Sequence, residues 1–240
     1  MQSSFLFTVM VSSFLFLFQL EKYEASIATH RHARRQIPQE WAHAPIIRQV
    51  DTLLKKNNPQ GIMHPIYSLL GEKGASEGMG MFDKKNFDCF QKSIADQAFT
   101  NAKVNNDLAG QQSAIIFASL EKNTPGVGLA SAPCKSLTMK NKEIERLIQH
   151  QDAASPDAKK NNVEAALLVA ESLKDIGTPM DDIVRLTQSS GTFEAGDPKN
   201  PNNGRGNSCD DKDDKDGCIV SKNLLKYDVT KEEIEQRLKV

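Results

Sequence analysis

The chain has 240 residues, of which 39% are hydrophobic and 25% are charged, and its 30 basic and 31 acidic side chains nearly cancel to a net charge of −1. This composition is typical of a folded protein with one core, and it excludes a collagen-like or wholly disordered chain. Because basic residues do not outnumber acidic ones, the charge balance argues against a nucleic-acid binder. The aromatic content of 6% argues against an all-β sandwich.

The first 28 residues have the pattern of a secretory signal peptide. Residues 5–20 form an apolar run, charged residues follow from Glu21, and Ser26 and Ala28 supply the small side chains that signal peptidase requires. The run is shorter than the roughly 20 apolar residues that span a bilayer, so an uncleaved membrane anchor is the weaker alternative. We therefore predict that the protein is secreted and has no membrane attachment after processing.

Residues 29–35 form a short polar segment that ends in the dibasic pair Arg34-Arg35. We predict that this segment is a propeptide removed by a dibasic-specific processing protease, which leaves Gln36 at the terminus and able to cyclise. The alternative is a solvated basic patch. Removal of residues 1–35 takes away four basic and two acidic side chains, so the mature chain keeps 26 and 29 of them, a net charge of −3.

Apolar spacing predicts mostly α-helical structure from residue 41 onwards. Helices are predicted over 41–56, 87–104, 108–120 and 141–150, from Ser155-Pro156 to Gly177, and for a turn or two after Pro179. Thr230 and Glu233 have the spacing of a capping box, which starts a final helix from Lys231 to about Leu238. No alternating run is long enough to require a strand.

The stretch 189–217 differs from the rest because it is rich in Ser, Gly, Asn, Pro and Asp, with Phe193 as its only large apolar residue. Such a composition cannot bury a core, so we predict a long surface loop. The predicted fold is therefore mostly α: a single disulfide-stabilised helical domain over residues 36–240, with this acidic, Gly-, Asn- and Pro-rich loop on its surface.

All four cysteines lie in the mature chain, and an even number in a secreted protein predicts two disulfides. Cys209 and Cys218 are nine positions apart across a polar loop, so joining them costs little chain entropy. We therefore favour Cys209–Cys218 and, by elimination, Cys89–Cys134. A zinc site is the rival interpretation, but no Cys-x2-Cys spacing occurs.

Five carboxylates lie between the last two cysteines and make this loop a candidate metal site. They belong to Asp210, Asp211, Asp213, Asp214 and Asp216. Carboxylate oxygens are the ligands that Ca²⁺ prefers, but an EF-hand frame places Lys212 at its first ligand position and Asn223 at its twelfth. A conventional EF-hand is excluded. A looser Ca²⁺ site competes with a solvated acidic loop, and no other cofactor is expected.

His150 and Asp152 stand two residues apart at the end of a predicted helix and suggest a hydrolase pair. No Gly-x-Ser-x-Gly elbow accompanies them, and the cysteines are assigned to disulfides. A histidine near a helix C-terminus more often caps the helix. His43 and His64 stand alone, without zinc-protease spacing. No catalytic residue is therefore assigned.

Segments spread over nearly the whole mature chain resemble a family of secreted proteins from filamentous fungi. The longest runs from Gly206-Asn207 through Cys209-Asp210-Asp211 and Gly217-Cys218-Ile219 to Asn223-Leu224-Leu225, and others are Ala95–Ala102, Gln149–Asp152 and Ser190–Phe193. The resemblance implies a fungal, secreted origin. It assigns no catalytic residues, so none are carried over.

Three functions are consistent with these features. The first is a secreted, non-enzymatic fungal protein that acts outside the cell, as an effector or virulence factor at a host interface. The second is a structural component of the cell wall or matrix, and the third is a secreted hydrolase centred on His150. The expected partner is an extracellular or host protein or polysaccharide, not a nucleic acid.

Overall fold

Nine α-helices and two 3-10 helices make up the part of the chain that the structure, a computed structural model, describes: residues 40–195, 209 and 211–239. The α-helices are α1 (Ala44–Leu54), α2 (Glu72–Ala75), α3 (Phe90–Val104), α4 (Leu108–Ser119), α5 (Lys142–Glu145), α6 (Ala158–Asp175), α7 (Met180–Ser189), α8 (Cys218–Ser221) and α9 (Lys231–Leu238). The 3-10 helices are Pro65–Leu69 and Lys84–Cys89. The mostly α-helical prediction is confirmed.

Helix α4 lies at the centre of the fold because its sequence is apolar on nearly every face. All residues from Ala114 to Ser119 are buried, and a helix without a polar face must be covered on all sides. Helices α1 and α3 pack against α4 and against each other, and α6 and α7 also contact it. The main core between these helices contains Phe90, Phe99 and Phe117, which are fully buried.

Several predicted helix boundaries are wrong at one end. The helix predicted over 141–150 is the single turn α5, because the residues after Arg146 leave the helix and bond to α4 and α6. Helix α6 begins at Ala158 rather than at Ser155-Pro156. The Ala158 amide donates to the Ser155 carbonyl at 3.2 Å, and Asp157 has a φ of +58°, so the chain turns before the helix starts.

A second, smaller core lies under the C-terminal part of the chain. Its buried members are Ala42, Cys209, Cys218 and Ile219, with Phe193, Leu224 and Leu225 packed against them. Gly217 is required here, because its φ is +79° and a Cβ at this position would lie 2.3 Å from the Ala42 carbonyl oxygen. Within the predicted loop 189–217, residues 196–208 and Asp210 lie outside the described residues.

Helix α9 begins with the predicted capping box. The Thr230 hydroxyl accepts from the Glu233 amide at 3.2 Å, and the Glu233 carboxylate accepts from the Thr230 amide at 2.8 Å. Both bonds satisfy amides that a helix start would otherwise leave unpaired. Among the described helices, none has the length and apolar character needed to cross a membrane.

Two disulfides join the four cysteines in the pairs that the sequence analysis favours. Cys89–Cys134 spans 45 residues and ties the start of α3 to the loop before α5. Cys209–Cys218 spans nine residues and closes the acidic loop at the start of α8. No cysteine of the chain is left free.

Candidate acid–base site

Four titratable side chains from distant parts of the sequence meet between the two cores, and we call them the acid–histidine cluster. They are His43 before α1, Glu121 after α4, His150 after α5 and Asp228 before α9. None of them lies inside a helix. They are held by connecting segments that the helices position, which is where functional side chains are often found.

His150 is fully buried and binds the C-terminal end of α4. Its amide donates to the Ser119 carbonyl at 2.8 Å, and its Nδ1 lies 2.7 Å from the same oxygen. Because a carbonyl only accepts, Nδ1 carries the proton. Gln91 donates to the neighbouring carbonyls of Phe117 and Leu120, so the last turn of α4 is satisfied by side chains rather than by water.

The other ring nitrogen of His150 faces Asp228 rather than Asp152. Its Nε2 lies 3.4 Å from Oδ2 of Asp228, and neither atom has a hydrogen-bond partner among the described residues. Burial lowers the pKa of His150 and raises the pKa of Asp228, although each partner opposes the shift of the other.

Asp152, the predicted partner of His150, is engaged elsewhere. Its carboxylate accepts from the Gly128 amide at 2.9 Å and from the Ala154 amide at 2.8 Å, which fixes the loop before Cys134. The hydrolase pair suggested by sequence proximity is therefore not formed. The helix-capping interpretation of His150 is correct in kind, but the helix that it caps is α4 and not the preceding one.

Glu121 is partly buried two residues after the end of α4, and no hydrogen bond to its carboxyl group is found within the described part of the chain. Burial raises the pKa of Glu121 to about 8, and the charges of Asp152 and Asp228 act in the same direction. The C-terminal end of a helix also disfavours a negative charge. Burial, the neighbouring charges and the helix end therefore all favour the protonated, neutral form of Glu121.

His43 shares a small cleft with Glu121. Burial lowers the pKa of His43 to about 4, His150 adds to the shift, and a hydrogen bond to the backbone of Gly191 opposes it. The cleft is about 20 Å³ in volume and is lined by Glu40, Ala42, His43, Leu69, Leu120, Glu121, Gly191, Thr192 and Phe193. A proton donor and a neutral imidazole thus line one cavity of about the size of a water molecule.

Two carboxylates of the acidic loop, the predicted metal site, make local hydrogen bonds to the backbone. Oδ1 of Asp211 accepts from the Asp213 amide at 2.9 Å, and Oδ1 of Asp214 accepts from the Asp216 amide at 3.0 Å. These are local turns rather than converging ligands. No group of carboxylates, histidines and cysteines suited to a metal is found among the described residues, and Asp210 lies outside them. Ca²⁺ binding stays a prediction.

A guanidinium group lies where the loop's carbonyl oxygens converge. Arg48 of α1 donates through Nη2 to the carbonyls of Lys212 and Asp214, both at 2.6 Å, and through Nη1 to that of Lys215 at 3.3 Å. Hydrogen bonds to a charged group are stronger than neutral ones. Arg48 therefore holds the disulfide-closed loop against α1 in the way that a bound cation would.

Replacing Arg48 by alanine should loosen this loop without unfolding the domain. We expect a loss of about 2 kcal/mol of stability, because hydrogen bonds to a charged group are removed. Amide hydrogen exchange over residues 211–216 should accelerate. The matched control is Arg185→Ala, whose partner Asp182 lies one turn away on the surface, so its loss should cost well under about 1 kcal/mol. Equal exchange in both variants would contradict the role of Arg48.

The predicted signal peptide 1–28 and the processing residues Arg34 and Arg35 lie outside the described residues. Comparisons of the chain with family models, with curated proteins and with solved structures found no match.

Proposed function

We propose that this is a secreted, non-enzymatic fungal protein that acts outside the cell by binding a partner, as an effector or virulence factor at a host interface. The observation that carries the proposal is the pair of disulfides, which form and persist in oxidising compartments. The apolar leader and the dibasic pair Arg34-Arg35 support the same route.

The geometry favours binding over catalysis through His150. A substrate cannot touch a fully buried imidazole whose Nδ1 is used by Ser119 and whose Nε2 faces Asp228. All four cysteines are in disulfides, so none serves as a nucleophile. The partner that we propose is an extracellular or host protein or polysaccharide.

The function is tested by fractionating a fungal culture that expresses the full chain, together with a strain that lacks the gene. We expect the protein in the medium, normal walls in the deletion strain and weakened infection. Protein that is released only by wall-degrading treatment would favour the wall component instead. Hydrolytic activity of the purified protein that disappears in His150→Ala would favour the hydrolase.

A further inference from the structure

The cleft next to Glu121 and His43 has the dimensions of a site for one polar group. Its volume of about 20 Å³ holds a single oxygen-sized group, such as a water molecule or one hydroxyl. Its polar lining comes from Glu40, His43, Glu121 and Thr192, and its apolar lining includes Leu69 and Phe193. Apolar walls with a few polar groups are typical of sites for small ligands.

The polar groups of the cleft complement a group that both donates and accepts a hydrogen bond. The protonated carboxyl of Glu121 offers a donor and makes no hydrogen bond to the described residues. One ring nitrogen of His43 is used by the backbone of Gly191, which leaves the other as an acceptor in the neutral ring. A hydroxyl group can accept from Glu121 and donate to His43 at once.

Burial in the cleft disfavours charged ligands. Burial is the largest cause of the raised pKa of Glu121, ahead of the charges of Asp152 and Asp228, and an anion at this place would meet the same cost of desolvation. A cation would have to give up its hydration in a site where burial already disfavours charge. An uncharged ligand meets neither cost.

Phe193 provides an apolar surface for the carbon skeleton that carries such a hydroxyl. Phe193 is partly buried, lines the cleft and packs against the second core. Aromatic rings present a flat apolar face against which the C–H groups of a sugar can pack. The cleft is too small for a sugar ring, so only one hydroxyl would enter while the ring stays at Phe193.

We propose that this cleft binds a hydroxyl group of an uncharged carbohydrate, with Glu121 as the donor, His43 as the acceptor and Phe193 as the stacking surface. The assignment rests on the proposed function in one respect, since it names a polysaccharide as the extracellular partner. Binding is measured on purified protein, so its failure is distinguishable from a failure of secretion.

The chemistry of the site is tested with three probes that share a vicinal diol and carry a neutral, an anionic or a cationic group beside it: glycerol, glycerate and 3-aminopropane-1,2-diol. Each is titrated into the folded protein while the amide and histidine resonances of His43 are followed by NMR. We expect saturable shifts with glycerol and weaker or no binding of the two charged probes. Tighter binding of either charged probe would overturn the assignment.

The role of Glu121 is tested by the pH dependence of glycerol binding. Above pH 8 the affinity should fall by about tenfold per pH unit, because the ionised form has lost its donor. Glu121→Gln keeps an N–H donor without a charge, so this variant should bind at every pH, whereas exposed Glu77→Gln should behave as the parent does. An equal pH dependence in the parent protein and Glu121→Gln would overturn the role of Glu121.

Binding of oligosaccharides then tests whether the site prefers a carbohydrate to a small polyol such as glycerol. Laminarihexaose, cellohexaose and hexa-N-acetylchitohexaose are uncharged, and the best of them should bind about tenfold more tightly than glycerol, as one added aromatic contact allows. Phe193→Ala should reduce the affinity for the hexasaccharide by a larger factor than it reduces the affinity for glycerol. If no hexasaccharide exceeds glycerol, the carbohydrate assignment is wrong.

Discussion

Replacing Glu121 by glutamine should stabilise the protein most at alkaline pH and least at acidic pH. The pKa of Glu121 rises from 4.5 in the unfolded chain to about 8 in the folded protein. The stability that comes from the buried proton is therefore fully present below pH 4.5 and is lost as the pH rises to 8. Glutamine carries no proton to lose, so Glu121→Gln does not show this decline.

The size of the effect follows from the linkage between proton binding and folding. Each pH unit between 4.5 and 8 changes the stability difference between Glu121→Gln and the parent protein by about 1.4 kcal/mol, or 4 to 5 kcal/mol in total at most. Urea denaturation at a series of pH values measures it. Exposed Glu77→Gln is the control and should give a pH-independent difference. A constant difference for Glu121→Gln would contradict the protonated carboxyl.

His43 should change the dependence of stability on pH at acidic pH, and with the opposite sign to Glu121. Its pKa falls from 6.5 in the unfolded chain to about 4 in the folded protein, so the stability that it contributes is present above pH 6.5 and is lost towards pH 4. Between 4.5 and 6.5 the two slopes oppose each other. These two groups alone thus make the protein most stable at mildly acidic pH, and His43→Gln should remove the acidic slope only.

Removing the Cys89–Cys134 disulfide should cost more than removing Cys209–Cys218. Loop-closure entropy gives about 4 kcal/mol for the 45-residue loop and about 2.6 kcal/mol for the nine-residue loop. The first bond also fixes the start of α3 inside the main core, whereas the second belongs to the small core next to Arg48. The double variants Cys89→Ala/Cys134→Ala and Cys209→Ala/Cys218→Ala each remove one disulfide by the same pair of substitutions. They differ only in which disulfide is removed.

Guanidinium denaturation of the two double variants decides between these costs. We expect the first variant to lose cooperative stability of the whole domain. The second should show a smaller decrease in the unfolding midpoint than the first, with faster hydrogen exchange mainly around residues 211–221. A larger loss in the second variant would contradict the assignment of the main core to the Cys89 side of the fold.

The sequence pattern predicts this fold well in two cases: where apolar periodicity marks one buried face of a helix, and where an apolar run marks a helix that is buried on all faces. The apolar run Ala114–Ser119 and the capping box at Thr230 are local signals. Each lies in the helix that it predicts. The boundary at residue 146 is not local. It depends on the hydrogen bond between His150 and the carbonyl of Ser119, which is thirty-one residues before His150 in the sequence. This contact is incompatible with a helix that continues to residue 150.

The acid–histidine cluster could not be found from spacing for the same reason. Asp152 is the carboxylate closest to His150 in sequence, but Asp228 is the one that faces it. Glu121 and His43 carry no motif, and their perturbed pKa values arise only from burial next to other charges. The only available signal was a carboxylate directly after the apolar run of α4. Arg48 likewise meets backbone carbonyls, which composition does not reveal.

Secretion and processing of the chain are tested by the intact mass of protein secreted with its own leader, measured under native conditions with and without Ca²⁺. We expect a chain that starts at Gln36, or at its cyclised form, and that is four hydrogen atoms lighter than the reduced chain because of the two disulfides. Arg34→Ala/Arg35→Ala should keep the propeptide. A calcium ion lost in Asp214→Ala would establish the loop as a metal site. A secreted or cell-bound chain that still carries residues 5–20 would contradict the prediction that these residues belong to a cleaved signal peptide.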